Sequence, residues 1–450
     1  MMANYGRPSA GAEHEMRPLV ASYEQGRGLI GRRAQTVVLS LLASLLILTH
    51  YSAFVEGVIF PRVFYGEVLN LGEQLLALGL ALVPSLWMPN RLTKVSDPIV
   101  LTLYLIGYLP IALLVPRLAH DGAPGFQVVA VILLGLGLLE VMRNLPAIRT
   151  RIALRNHQLF RRGLIVASLV STAVTLLAYG LPTQLIGLDY VYVAREVFNN
   201  FASDEMIRAI ANYLIQWNVI IFLPYICVTS ENKKSLITSV IYLFFTAFLY
   251  FNITSYQIVL VIPLVLVGFF FLYKFVKRHG LNVIVMGFCA LMVVGGILSF
   301  VFRNTEYELI ASMPVYRFVH IPGLLGSLYL DAFSTDVVAR STAGVHPGYI
   351  VGSLYFGDST MLATTSFWFI AFAEYQYAGI IAVSILLGMY LWLIDCVVDP
   401  SFDVLLFSLS GVIAYFLVGA GLGTAMMTYG LLPLLILCAI APRIRKRRPG

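Results

Sequence analysis

Runs of about 20 consecutive apolar residues, each long enough to cross a bilayer core of ~30 Å, recur along the whole of this 450-residue chain. Lipid offers a peptide group no hydrogen-bond partner, so such runs are expected to form helices that satisfy their own backbones. Only 12% of the residues are charged and 59% are hydrophobic, and mean hydropathy is +0.85. A soluble protein of this size would expose far more charge. The pattern predicts an all-α polytopic integral membrane protein with about twelve transmembrane helices, near 36–55, 72–89, 99–115, 126–142, 163–181, 210–228, 236–252, 256–273, 283–302, 379–395, 404–421 and 425–442. No internal repeat or composition shift divides these spans. Residues 36–442 therefore read as a single transmembrane domain between a polar tail, 1–35, and a basic tail, 443–450.

Charge orients the spans. Of 30 lysines and arginines, 23 fall next to span ends on one side, all six lysines among them. The positive-inside rule assigns that side, and with it both termini, to the cytoplasm. The net charge of +7 thus faces anionic lipid head groups, and nucleic acid is not implied. The stretch from Arg143 to Arg162 reads as an orientation signal. The first apolar run begins near Thr36 behind Arg32 and Arg33, as a retained anchor does. The cysteines Cys227, Cys289, Cys396 and Cys438 lie in or beside different spans, with neither disulfide nor zinc spacing.

All seven cations left for the outer face are arginines: Arg62, Arg117, Arg195, Arg208, Arg303, Arg317 and Arg340. Guanidinium is the cation best matched to bidentate binding of phosphate or carboxylate. A face that keeps arginine and excludes lysine points to a site for an anionic group such as a lipid-linked phosphate. Five of the seven lie in two long outer loops, about 182–209 and 303–366. Long loops in a compact domain are usually functional or disordered. These two are rich in aliphatic and aromatic residues, so they are expected to carry interfacial helices on the membrane surface or to fold back onto the bundle.

In the first loop Asp189, Tyr192, Arg195 and Glu196 lie close together, and Arg195 could hold a phosphate oriented by a carboxylate. In the second, Arg317 and His320 are three residues apart and can face one site just before Pro322 and Gly323. Imidazole is the usual proton carrier near neutral pH, and a neighbouring cation favours its base-competent form. Asp331, Asp336, Arg340 and His346 follow; such residues also serve as caps and loop acceptors. Glu374 lies at a span entrance, where burial or pore lining would suit it. His50 and His120 read as structural, and Arg62, near Glu67 and Glu73, reads as a membrane anchor. No P-loop, Cys/His metal cluster or Gly-x-Ser-x-Gly elbow is present.

Four stretches, DYVYVAREVF, YRFVHIPGLLGSLYLDAFS, IVGSLYFGD and LATTSFWFIAFAEYQYAG, give residues 185–395 a resemblance to the Wzy-type O-antigen and oligosaccharide repeat-unit polymerases. Where some members have Asn, Asp and Gly, this chain has Thr364, Ile370 and Gln376, and Arg340 to Gly352 misses by one the arginine-to-glycine spacing of others. The resemblance implies a multi-pass protein of a bacterial inner membrane that joins repeat units carried on undecaprenyl diphosphate at the periplasmic face. The growing glycan passes to a new lipid-linked unit and undecaprenyl diphosphate leaves. It implies no metal and no cofactor, and, beside the bilayer itself, a chain-length regulator as a partner. On that chemistry Arg195, Arg317 and Arg340 are expected on the diphosphate, where fixed cations stabilise the developing charge. His320 is expected as general base, with Asp331 or Glu196 as substitutes. An O-antigen ligase, a flippase of lipid-linked saccharides and a non-catalytic scaffold are the alternatives.

Overall fold

The computed structural model describes residues 31–55, 69–119, 123–148, 156–181, 205–230, 233–254, 258–303, 305, 315–334, 345–398 and 403–442. Among them every regular element is a helix. In chain order these are α1 (Gly31–Phe54), α2 (Leu71–Leu86), α3 (Asp97–Leu118), α4 (Ala123–Arg143), α5 (His157–Tyr179), α6 (Ala209–Val228), α7 (Lys233–Thr254), α8 (Ile258–His279) and α9 (Asn282–Val301). They continue with α10 (Ile321–Phe333), α11 (Pro347–Phe356), α12 (Phe367–Val397), α13 (Asp403–Gly419), α14 (Leu422–Met427) and α15 (Leu431–Ile440). Among the described residues nine helices are long and apolar enough to cross a membrane: α1, α3 to α9 and α12. The shorter apolar helices α2, α13 and α15 fall where the remaining apolar runs were expected.

Local chemistry sets several helix ends. Asn70 and Glu73 form a reciprocal capping box at α2. The Asn70 side chain accepts from the Glu73 backbone N–H at 2.9 Å, and the Glu73 carboxylate accepts from the Asn70 N–H at 2.8 Å. Asn156 caps α5 by accepting from the Leu159 N–H. Between α8 and α9 the chain turns within two residues on Gly280, whose φ of +87° suits glycine. A side chain at Gly280 would also lie 2.8 Å from the Asn90 carbonyl.

The core is built around α3, whose best span window is wholly buried, whereas 22% of that of α5 is. α2, α4, α10 and α13 pack around α3, and the most extensive helix pair is α4 with α12. Without a hydrophobic drive inside lipid, such pairs rely on close backbone approach at small residues. Gly388 of α12 meets the Leu139 carbonyl of α4, and Gly135 of α4 meets Ser384 of α12. Ser384 also accepts the Trp368 indole N–H at 3.0 Å. Outward side chains such as Leu134, Val166, Phe271 and Ile297 leave an apolar exterior suited to acyl chains.

At the basic end of the bundle, charge is buried. The Arg143 guanidinium pairs with Asp97 at 2.6 Å and Glu140 at 2.7 Å, with all three side chains at most 10% exposed. Asp97 also accepts from the backbone N–H groups of Thr93 and Lys94 and from the Thr93 hydroxyl. Ser96 donates from both its N–H and its hydroxyl to Asp395 of α12. Arg143 is therefore more than an orientation signal: it closes a polar knot joining α3, α4 and α12. Glu140, three residues away on the same helix, was within reach of the sequence, but Asp97, 46 residues away, was not.

In the second long loop α10 takes the second of the two expected placements and folds back onto the bundle. Nearly every residue of α10 is buried, and the helix packs on α3 and α12. The physical reason is that α10 is apolar on every side until Asp331 in its last turn, and a helix with so small a polar face has no stable position at an interface. Its serine, Ser327, satisfies itself on the Leu324 carbonyl. The first turns of α12, from Phe367, are buried beside it, and α12 then breaks at Tyr375–Gln376. After the break Gly379 lies against the Ala371 carbonyl, too close for any Cβ.

At the break Gln376 has φ 55° and ψ −146°. That backbone region costs a non-glycine residue about 1–3 kcal/mol. Its side-chain amide donates to the Phe333 carbonyl at 2.8 Å and so ties the break to the end of α10. Gln376→Gly should therefore be nearly neutral, since relief of strain offsets one lost hydrogen bond. Gln376→Ala loses the bond and keeps the strain, so it should be less stable than the glycine variant by about 1 kcal/mol. Unfolding midpoints of the two variants in one detergent give the comparison.

Candidate functional site

The π-helical turn Tyr316–His320 leads into α10 and puts His320 fully inside the protein, at 0% exposure. There it meets His50 of α1, which is 4% exposed. His50 Nδ1 and His320 Nε2 are 2.9 Å apart. They share one hydrogen bond whose proton can reside on either ring. The ring planes differ by 17° and the centroids are 5.0 Å apart. With the bridging nitrogens at 2.9 Å, that separation requires rings lying edge to edge and nearly coplanar. The bridge thus runs along the line between the two ring centres, the geometry in which a proton passes most directly.

Aromatic side chains surround the pair. Phe54 tilts against His50 at 5.0 Å and Tyr51 against His320 at 6.1 Å. Tyr51 also receives Arg117, from the last turn of α3, whose guanidinium carbon lies 5.5 Å from the ring centre. That is a cation–π contact. Tyr51 therefore touches both an arginine and the imidazole pair. The sequence puts Arg117 on the outer face without a named role and reads His50 as structural; the structure joins both to His320 through Tyr51 and the shared hydrogen bond. The only signal in the sequence is an ionisable residue within a span, which by default marks function. Its partner lies 270 residues away.

The remaining sequence candidates distribute as follows. Arg317 is exposed although it precedes the buried His320 by one turn, so the two side chains occupy different surroundings. Asp331 is exposed and accepts the Tyr355 hydroxyl of α11 at 2.5 Å. Burial, followed by that bond and the Asp331 charge, pushes the Tyr355 phenol well up. Asp331 lies eleven residues beyond His320, roughly 16 Å along a helix axis, so the two candidate bases do not share a site. His346 caps α11, its Nδ1 accepting from the Gly348 N–H at 3.0 Å. Burial holds this imidazole below its usual range. Glu374 is exposed at the α12 break rather than buried, because the helix ends its first segment there. Glu73 serves the α2 cap. Arg195, Glu196 and Arg340, with Arg62, Glu67, His120, Asp189, Tyr192 and Asp336, lie outside the described residues.

Among the described residues no group of three or more His, Cys, Asp or Glu side chains could hold a metal ion. Two concave regions on the flanks are almost purely apolar. One, of about 510 Å³, lies between α5, α6 and α15 at Phe160, Leu164, Phe222 and Leu437. The other, of about 270 Å³, lies among α6, α7, α8 and α13 at Pro224, Val240, Phe270 and Leu405. Both suit hydrocarbon, and neither includes the imidazole pair. The chain matches no protein-family model, no curated protein and no solved structure among those compared.

Proposed function

We propose that this chain is a membrane glycosyltransferase that polymerises oligosaccharide repeat units carried on undecaprenyl diphosphate. The reading includes twelve spans with both termini in the cytoplasm, a bacterial inner membrane, and chemistry at its periplasmic face beside a chain-length regulator. The observation that carries it is the buried His50–His320 pair, which Tyr51 links to Arg117.

Glycosyl transfer to a sugar hydroxyl needs a base for the hydroxyl proton and cations for the leaving diphosphate. His320 supplies the base, for which a contribution of about 10²- to 10⁴-fold is usual. Arg317 supplies an exposed cation beside it in sequence, and Arg195 and Arg340 are assigned to the same diphosphate. Each charge-assisted bond contributes about 1.5–3 kcal/mol. Negative charge grows on the diphosphate as the glycosidic bond breaks, so fixed guanidiniums act most strongly in the transition state. No step requires a bound metal.

A second reading, a flippase of lipid-linked saccharides, is favoured by the buried Asp97–Glu140–Arg143 knot, since charge inside a bundle often marks a transport path. Purified protein in liposomes with undecaprenyl-diphosphate-linked repeat units and a chelator separates the two. Polymerisation gives a ladder of lengthening lipid-linked glycans. Movement of unextended units across the bilayer, with no ladder, would establish the flippase instead.

A further inference from the structure

Each imidazole of the buried pair has a second nitrogen, His50 Nε2 and His320 Nδ1, and both are buried without a hydrogen-bond partner among the described residues. A neutral imidazole carries one proton on two nitrogens. Two neutral rings sharing one bridge therefore have two protons for four nitrogens. One proton occupies the bridge, so the other must sit on one outer nitrogen and leave its counterpart bare. Two arrangements satisfy this count. With the bridge proton on His320 Nε2, His320 Nδ1 is bare and His50 Nε2 carries hydrogen. With it on His50 Nδ1, the outer assignments are reversed.

We propose that His50 and His320 form a two-imidazole proton relay, which accepts a proton at one outer nitrogen and releases one at the other. Starting from bare His320 Nδ1, a hydroxyl O–H gives its proton to that nitrogen and the oxygen keeps the electron pair. The bridge proton then moves from His320 Nε2 to His50 Nδ1, and His50 Nε2 gives its proton to a water that enters with the substrate, both outer nitrogens being buried in the substrate-free protein. Return of a proton from water to His50 Nε2, with release from His320 Nδ1 to the departing diphosphate, restores the first arrangement. Atoms and charge balance over the cycle, no electrons are gained or lost, and neither ring holds a cation in the dry interior longer than the transfer takes. The edge-to-edge bridge of 2.9 Å allows the shift without ring rotation. In this scheme His50 never touches substrate and is a positioning residue. The identity of the hydroxyl rests on the glycosyltransferase reading, whereas the relay rests on the geometry of the pair.

The test is nitrogen NMR on the full-length protein with ¹⁵N-labelled histidine in lipid nanodiscs, with His50→Gln and His320→Gln assigning the two rings among seven histidines. A relay gives a coupling across the bridge and shifts at both outer nitrogens averaged between protonated and bare values. A locked pair, with one outer nitrogen fully protonated and the other fully bare, would overturn it, and so would absence of the coupling. In the glycan ladder assay His50→Gln, which can keep a hydrogen bond but cannot pass a proton through its amide, should lower kcat at least tenfold with KM unchanged. Full activity of a stably folded His50→Gln would also overturn the relay. Failure of the wild-type protein to make any ladder would instead sink the glycosyltransferase reading, while the NMR result still decides the relay.

Discussion

Arg143→Ala should lower the stability of the solubilised protein by about 3–5 kcal/mol, the usual cost of removing one partner from a buried ion pair. Asp97 and Glu140 would remain inside the protein, 2% and 10% exposed, with their shared cation gone. Asp97 would keep the two backbone donors at the start of α3, but those bonds do not cancel a second carboxylate nearby. The reverse experiment makes the prediction sharper. Arg143→Met combined with Asp97→Asn and Glu140→Gln removes the three charges that face one another and leaves only Asp395, held by both Ser96 donors, so it should recover most of the loss. Denaturant unfolding in one detergent measures both. Equal destabilisation by the single and triple variants would show that the guanidinium holds the knot by shape and hydrogen bonding rather than by charge balance.

The second large effect concerns the imidazole pair. His320→Gln should reduce the polymerisation rate about 10²- to 10⁴-fold, because the hydroxyl proton loses its acceptor. His320→Ala should do the same and in addition cost about 1–3 kcal/mol of stability, since it strips the buried His50 Nδ1 of its partner. Arg317→Ala should act differently. Its side chain is exposed, so folding should be almost unaffected. The loss of a charge-assisted bond to diphosphate should still slow the reaction about 10- to 100-fold. Arg317→Lys should recover only part of that loss, because an ammonium cannot grip two phosphate oxygens at once. Rates on lipid-linked repeat units, read beside unfolding midpoints, separate the two residues. An Arg317→Ala protein with full activity would remove that residue from the diphosphate.

The membrane character of the fold was legible in the sequence because it depends on composition over windows, which survive any detail of packing. The expected spans near 126–142 and 283–302 correspond to α4 and α9. Span ends were less legible. The expected tenth span near 379–395 captured only the part of α12 beyond its break, since nothing local announces that Gln376 adopts a left-handed φ. A glycine would meet that backbone angle without strain. The helical apolar spacing of α10 suits an interface as readily as a core, yet a helix whose one charge is Asp331 in its last turn belongs inside.

The candidate site was legible only in part. Proximity to Arg317 in sequence singles out His320, whereas in the structure its close companion is His50 and Arg317 faces outward. Contacts across 270 residues leave no periodic trace in a single chain. The same holds for Tyr51 with Arg117, and for Ser96 with Asp395.

On the proposed polymerase reading, release of undecaprenyl diphosphate reports at once on the reaction and on His320 as its base. Wild-type protein and a stably folded His320→Gln would be incubated with the same lipid-linked repeat units, and the freed carrier counted against the glycosidic bonds formed. The expected result is one undecaprenyl diphosphate per bond from the wild type and at least about a hundredfold slower release from the variant. Equal release from both proteins, or glycan transfer without carrier release, would contradict it.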